Sequence, residues 1–249
     1  MILANFLTGI LSLNLLHVKI PHEYVFFTGG NSLMPSFIYS NFLDKLKENK
    51  YIDSDVKNRV TVINNFDKTK PVLEQILNIY NRNQNIIPIS HSSGATSLIN
   101  YCSKFNIKKA ILLDPIDNKQ LFNKEPLNYH NFDDVLILNT KKSYEWKMTL
   151  KNPVPKIPFI PIGRMKNNFK KYTEINFIDA GHCDILDNPY SNFMNNYLAE
   201  GLDERDSVNS YRKCIVDLIN LFSYNKLNNE TINVIYDKYE FKYELNEIK

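Results

Sequence analysis

Ser92, Asp114 and His182 each stand where an apolar run ends, and their side chains are the ones in this chain that could work together chemically. Ser92 lies in Ser90-His91-Ser92-Ser93-Gly94, where the run Ile86-Ile87-Pro88-Ile89 hands over to the helical pattern Ala95-Thr96-Ser97-Leu98-Ile99-Asn100-Tyr101. A tight strand-to-helix turn of this layout lifts one side chain clear of the backbone at a helix N-terminus, forming a nucleophile elbow. The crowded turn asks for small residues two before and two after the nucleophile. Gly94 meets that demand, and Ser90 stands where a first glycine is usual. Asp114 closes Lys108-Lys109-Ala110-Ile111-Leu112-Leu113, and His182 follows the strand pattern of Thr173 to Asp179 within Ala180-Gly181-His182-Cys183-Asp184. Serine, acid and histidine in that order, each after a strand, can converge at one edge of a parallel sheet.

The chemistry open to such a set is nucleophilic acyl transfer. Ser92 would attack a carbonyl, His182 would take and return its proton, and Asp114 would hold the imidazole tautomer and stabilise the imidazolium. Asp117 is an alternative acid in the same loop. The exit of the run Val135 to Asn139 offers only Thr140, Lys141, Lys142 and Ser143, with Glu145 the nearest carboxylate. Developing charge on the carbonyl oxygen calls for backbone donors. The amide of Ser93 and those of Gly30 and Asn31, in Thr28-Gly29-Gly30-Asn31, are the candidates. Each feature also has a plainly structural reading: a serine-rich helix cap, a turn-capping aspartate before Pro115, and an ordinary Gly-Gly-Asn turn. His91 is expected to pack beneath the elbow. His17, His22 and His130 lack metal-ligand spacing, so neither a metal nor a cofactor is expected.

Strand and helix periods alternate along the chain that must position these groups. Glu23 to Thr28 and Val60 to Asn64 read as strands. Pro35 to Lys47 reads as a helix with Phe37, Ile38, Phe42, Leu43 and Leu46 on its apolar face, and Lys70 to Tyr80 as one carrying Val72, Ile76, Leu77 and Tyr80. The strands before Ser92, Asp114, Thr140 and His182 continue the rhythm. Such alternation predicts a mostly parallel central sheet with helices on both faces, in a single α/β domain over residues 1–249. Pro153, Pro155, Pro158 and Pro161 make residues 151–163 an extended connection, read as one wall of a cleft. Helices are predicted from Pro189 to Leu198 and from Asp206 to Phe222. The tail, residues 225–249, reads as a final strand or a peripheral C-terminal extension.

The chain has 249 residues, 43% hydrophobic and 12% aromatic, enough for a full core. A net charge of only +3, with scattered Lys and Arg, argues against nucleic acid as partner. Cys102, Cys183 and Cys214 are too few for a disulfide framework and fit a reducing, cytoplasmic compartment. Residues 1–20 form an apolar N-terminal segment. Its first part, Met1 to Leu16, is uncharged but short for a spanning helix and lacks a basic region, so a packed segment is expected, with peripheral membrane contact through residues 1–16 as the minority reading. Asn229-Glu230-Thr231 matches a glycosylation acceptor and is read as incidental.

Taken together, Thr28-Gly29-Gly30-Asn31-Ser32, His91-Ser92-Ser93-Gly94-Ala95, Leu113-Asp114-Pro115-Ile116-Asp117 and Ala180-Gly181-His182-Cys183-Asp184-Ile185-Leu186-Asp187 resemble the α/β-hydrolases, and within them the chlorophyllase-like branch. The resemblance covers roughly Tyr24 to Asp187. It departs from the branch at Ser90 and at Ser93-Gly94-Ala95. It implies an α/β-hydrolase fold and a serine esterase, lipase-like or chlorophyllase-like, acting on a small-molecule ester or lipid through an acyl-enzyme. The alternative is a catalytically silent version of the fold that binds a lipid or protein partner.

Overall fold

The computed structural model describes residues 21–48, 57–63, 65, 71–117, 132–142, 163–165, 169–197, 202 and 205–248. The N-terminal segment 1–16, Glu145 and nearly all of the Pro-rich connection lie outside the described residues.

The first strand, β1 (Glu23–Phe27), is buried along its whole length. Its side chains alternate between two cores, Tyr24 and Phe26 in one, Val25 and Phe27 in the other, as the two-residue period of a strand covered on both faces requires. A single helical turn, α1 (Gly29–Ser32), and a 3-10 turn (Ser36–Tyr39) lead into α2 (Ser40–Lys47). Then follow β2 (Arg59–Ile63), α3 (Val72–Arg82), β3 (Ile86–His91), α4 (Gly94–Cys102), β4 (Lys109–Leu113), the two-residue β5 (Ile116–Asp117), β6 (Asp134–Thr140), β7 (Gly163–Arg164) and β8 (Tyr172–Phe177). The chain ends with α5 (Tyr190–Tyr197), α6 (Arg205–Ser223), α7 (Asn229–Tyr239) and β9 (Tyr243–Ile248).

Among the described residues seven strands form one sheet in the order β2-β1-β3-β4-β6-β8-β9, parallel except for β9, while β5 and β7 pair separately. Both neighbours of β1 run parallel to it, Glu23 lying opposite Arg59 on one side and Ile86 on the other. The chain therefore steps outward from β1 to β2 and returns across β1 to β3. That reversal opens a crevice outside the carboxyl ends of β1 and β3, where open α/β sheets hold their ligands.

Helices cover both faces, as the sequence predicts. On one face α2 sends in Phe42, Leu43 and Leu46, and α6 sends in Tyr211, Cys214, Ile215, Leu218, Ile219 and Phe222. The spacing of the α6 set is that of one stripe on a 3.6-residue period. On the other face α3 sends in Val72, Ile76 and Ile79, and α4 Ala95, Leu98, Ile99 and Cys102. Among the described residues no helix is long and apolar enough to cross a membrane.

Of the two readings of the tail, the final strand is the one found and the peripheral extension is not: β9 adds the antiparallel edge strand against β8, and α7 buries Ile232, Ile235 and Tyr236 in the first core. Two expectations are corrected. Phe37 is not on an apolar inner face. The predicted helix opens as a 3-10 turn whose three-residue period swings Phe37 outward, leaving it 57% exposed. Leu77 also faces outward, because α3 packs through Val72, Ile76 and Ile79 instead.

Candidate active site

The elbow at Ser92 is a strained turn held from both sides. Ser92 has φ +56, in the left-handed region that non-glycine residues seldom enter. Its amide donates to the Leu113 carbonyl at 3.0 Å, and its carbonyl accepts from Ile116 at 3.2 Å, so the turn is clipped to the segment that carries Asp114. The tightness explains Gly94. A Cβ there would lie 2.4 Å from the Thr28 oxygen and 2.6 Å from that of Phe27. Only glycine lets the start of α4 sit against the end of β1. Ser90 is less constrained: it is fully buried in β3, and its hydroxyl has no hydrogen-bond partner.

Asp114 follows β4 with φ +42, its amide donating to the Leu138 carbonyl at 2.7 Å. The Thr140 amide donates to Oδ1 and the Thr140 hydroxyl to Oδ2, each at 3.0 Å. His182 Nδ1 lies 2.5 Å from Oδ2, and both residues are buried to within 5% of full burial. A carboxylate only accepts, so Nδ1 carries the hydrogen and Nε2 is the side able to take a proton. The acid that engages His182 is Asp114. Asp117 lies in β5 opposite Gly163, and Glu145 is outside the described residues.

The loop of His182 is braced by groups that do no chemistry themselves. Asp184 Oδ2 accepts from the Gly181 amide at 2.7 Å and the Leu202 amide at 2.9 Å, closing a short ring around His182. Arg212 of α6, 1% exposed, donates through Nε to the Asp184 carbonyl at 3.1 Å and through a terminal nitrogen to that of Leu186. Asp187 accepts from the Asn41 amide with both oxygens, at 3.0 and 3.1 Å, tying the loop to α2.

The third wall is α1. A Cβ on Gly29 would lie 3.5 Å from that of Ser92, so this turn borders the nucleophile. Gly30, at φ +61, and Asn31 occupy its first turn, where leading amides have no acceptor within the helix. Ser93 immediately precedes α4, at the cap position of that helix. His91 packs beneath the elbow as expected, its ring 4.7 Å from that of His182. Burial, then the neighbouring His182, lower its pKa to about 3. Burial also raises the Cys183 thiol well above the usual range, which makes it a poor nucleophile. Among the described residues no group of three His, Cys, Asp or Glu could hold a metal ion.

Thr140, Arg212 and Tyr39, whose hydroxyl oxygen accepts from the Gly29 amide at 3.1 Å, are the contributors that residue types alone did not reveal. Thr140 was legible as the residue leaving the strand beside that of Asp114. Tyr39 and Arg212 gave no such signal, since an aromatic and a cation on helical segments read as core and surface.

Fold and site define the class: an α/β protein with a mostly parallel sheet, its serine, aspartate and histidine brought to the carboxyl edge beside the switch point. The chain matches no protein-family model and no curated protein.

Proposed function

We propose that the protein is a serine hydrolase of the α/β-hydrolase fold that cleaves a carboxylic ester through an acyl-enzyme. The observation that carries this reading is the 2.5 Å bond from His182 to Asp114, itself anchored twice by Thr140, at the sheet edge where the strained elbow presents Ser92. Ser92 Oγ attacks the carbonyl carbon as its proton passes to His182 Nε2. The oxyanion takes hydrogen bonds from the Ser93 amide and from those of Gly30 and Asn31. Collapse breaks the ester bond, and the alcohol leaves with the proton held by His182. Water then repeats the sequence, releasing the acid and restoring Ser92.

An apolar substrate group suits the surroundings. Met34 lies within 3.5 Å of where Cβ atoms on Gly29 and Gly30 would stand, and Phe37 packs edge-on against Tyr190 at 5.6 Å, both well exposed. The test is labelling with a fluorophosphonate probe and mapping of the modified residue. Label on Ser92, lost in Ser92→Ala and strongly reduced in His182→Ala, is expected. A folded native protein that takes no label rejects the hydrolase reading and leaves a binding role for the fold.

A further inference from the structure

The imidazole of His91 has no part in that chemistry, yet both its nitrogens are engaged. Nδ1 lies 2.9 Å from Tyr39 Oη, and Nε2 lies 3.0 Å from the carbonyl oxygen of His182. The Gly29 amide donates to the same Tyr39 oxygen at 3.1 Å. Hydrogen-bonding capacity alone orders the protons. The His182 carbonyl can only accept, so His91 Nε2 carries a hydrogen. A neutral imidazole then has a bare Nδ1, which Tyr39 must supply, and the tyrosine oxygen keeps lone pairs for Gly29. A single polarity satisfies every member, with donation running from Gly29 through Tyr39 and His91 to His182.

We propose that Tyr39 and His91 are positioning residues, a buried hydrogen-bond chain that sets the His182 backbone and the Gly29-Gly30 turn in register on either side of Ser92, with His91 locked as its Nε2–H tautomer. The proposed effect on rate rests on the hydrolase reading; the tautomer does not. His91 is buried deeply enough to stay neutral near pH 7, as the chain requires. Tyr39 is fully buried and packs edge-on against both Phe26 and His91, so its hydroxyl is aimed by the core. The chain runs from the β1 exit at Gly29, through Tyr39 and through His91 beside the elbow, to the His182 loop. Displacing reacting groups by about 1 Å can slow catalysis by roughly 100-fold, so a link among these segments bears on rate without touching substrate.

The test uses full-length protein with 15N-labelled histidine, as wild type, Tyr39→Phe, His91→Gln and His91→Leu. The His91 signals are identified, among those of five histidines, as the set missing from His91→Gln. Expected in the wild type near pH 7 are a protonated Nε2 and a bare Nδ1, with the Nδ1 frequency displaced in Tyr39→Phe. Fluorophosphonate labelling of Ser92 should slow at least about tenfold in His91→Leu and recover to within about threefold in His91→Gln, whose amide can still donate to the His182 carbonyl. A wild-type His91 protonated on Nδ1, or a folded His91→Leu labelled at the native rate, overturns the proposal. Should His91→Leu fail to fold, Tyr39→Phe lacks only one oxygen and carries the rate comparison, a native rate again counting against it. If the native protein takes no label, the hydrolase reading falls, and the tautomer still decides whether the chain exists.

Discussion

Asp114 holds His182 by one oxygen while Thr140 holds Asp114 by both, so the orientation of the base depends on three side chains in series. Asp114→Asn keeps the size of the side chain but offers an amide where a proton acceptor is needed, which favours the wrong imidazole tautomer. Turnover of an activated ester should fall by roughly 10⁴-fold, while Asp117→Asn, at a residue that pairs with Gly163 in β5, should stay within about threefold of wild type by the same comparison. Equal losses in the two variants would remove Asp114 from its assigned role. Thr140→Val is a finer probe, because the backbone donor to Oδ1 survives and only the hydroxyl is lost. One charge-assisted hydrogen bond is worth about 1.5 kcal/mol or more, so turnover should drop about tenfold with little change in KM. A rise in KM alone would place Thr140 at the substrate instead.

The elbow is a property of two elements meeting, since α4 can begin where it does only because nothing projects from Gly94 toward the end of β1. Gly94→Ala forces a methyl group to within 2.4 Å of the Thr28 oxygen, and the backbone there cannot swing aside as a side chain could. A loss of at least about 2 kcal/mol is expected from overpacking, read as a lower urea midpoint. Ser90→Ala should behave oppositely, because it removes a buried hydroxyl that has no partner, and such a group costs about 1 kcal/mol or more. A raised or unchanged midpoint is expected, and a clear fall would reveal a bond to Ser90. The positions of these elements were largely legible in the sequence, because apolar runs of Ile, Val and Leu bounded by Pro, Gly and Asn mark parallel strands. The exits of β3, β4 and β8 likewise advertised Ser92, Asp114 and His182. What residue types could not show was pairing across long separations. Thr140 carries no charge and reads as a loop residue until β6 is laid beside β4. Arg212 looks like a surface cation until α6 packs against the 184–187 turn, whose carbonyls it satisfies. Phe37 was misplaced because the 3-10 turn and a true helix share an apolar pattern over a single turn.

At the scale of the whole molecule, two of the buried histidines, His22 and His91, stand at opposite ends of β1, and both bear on how it withstands acid. His22 stands just before β1, with neither ring nitrogen hydrogen-bonded and its ring 4.5 Å from that of Tyr224; burial, then the charge of Lys109, lower its pKa to about 4. His91 ends β3, beside the far end of β1, and is lowered to about 3. In the unfolded chain both titrate near 6.5. Between that value and about 3 to 4 the unfolded state therefore binds more protons than the folded one, so stability rises with pH through the window and is lost as pH falls through it. His91 pushes in the same direction as His22, and the wild-type slope alone cannot separate the two. His22→Phe can. It fills the same aromatic slot against Tyr224, cannot take a proton, and leaves the backbone bond from residue 22 to Asn58 intact. Urea midpoints measured at pH 7, 5.5 and 4.5 should fall less steeply in His22→Phe than in the wild type. The two should differ most at the acidic end, where the wild-type imidazole is charged in the unfolded state but not in the folded one. Parallel curves would mean that the buried ring gains its proton without loss of packing, and that His22 takes no part in the acid response.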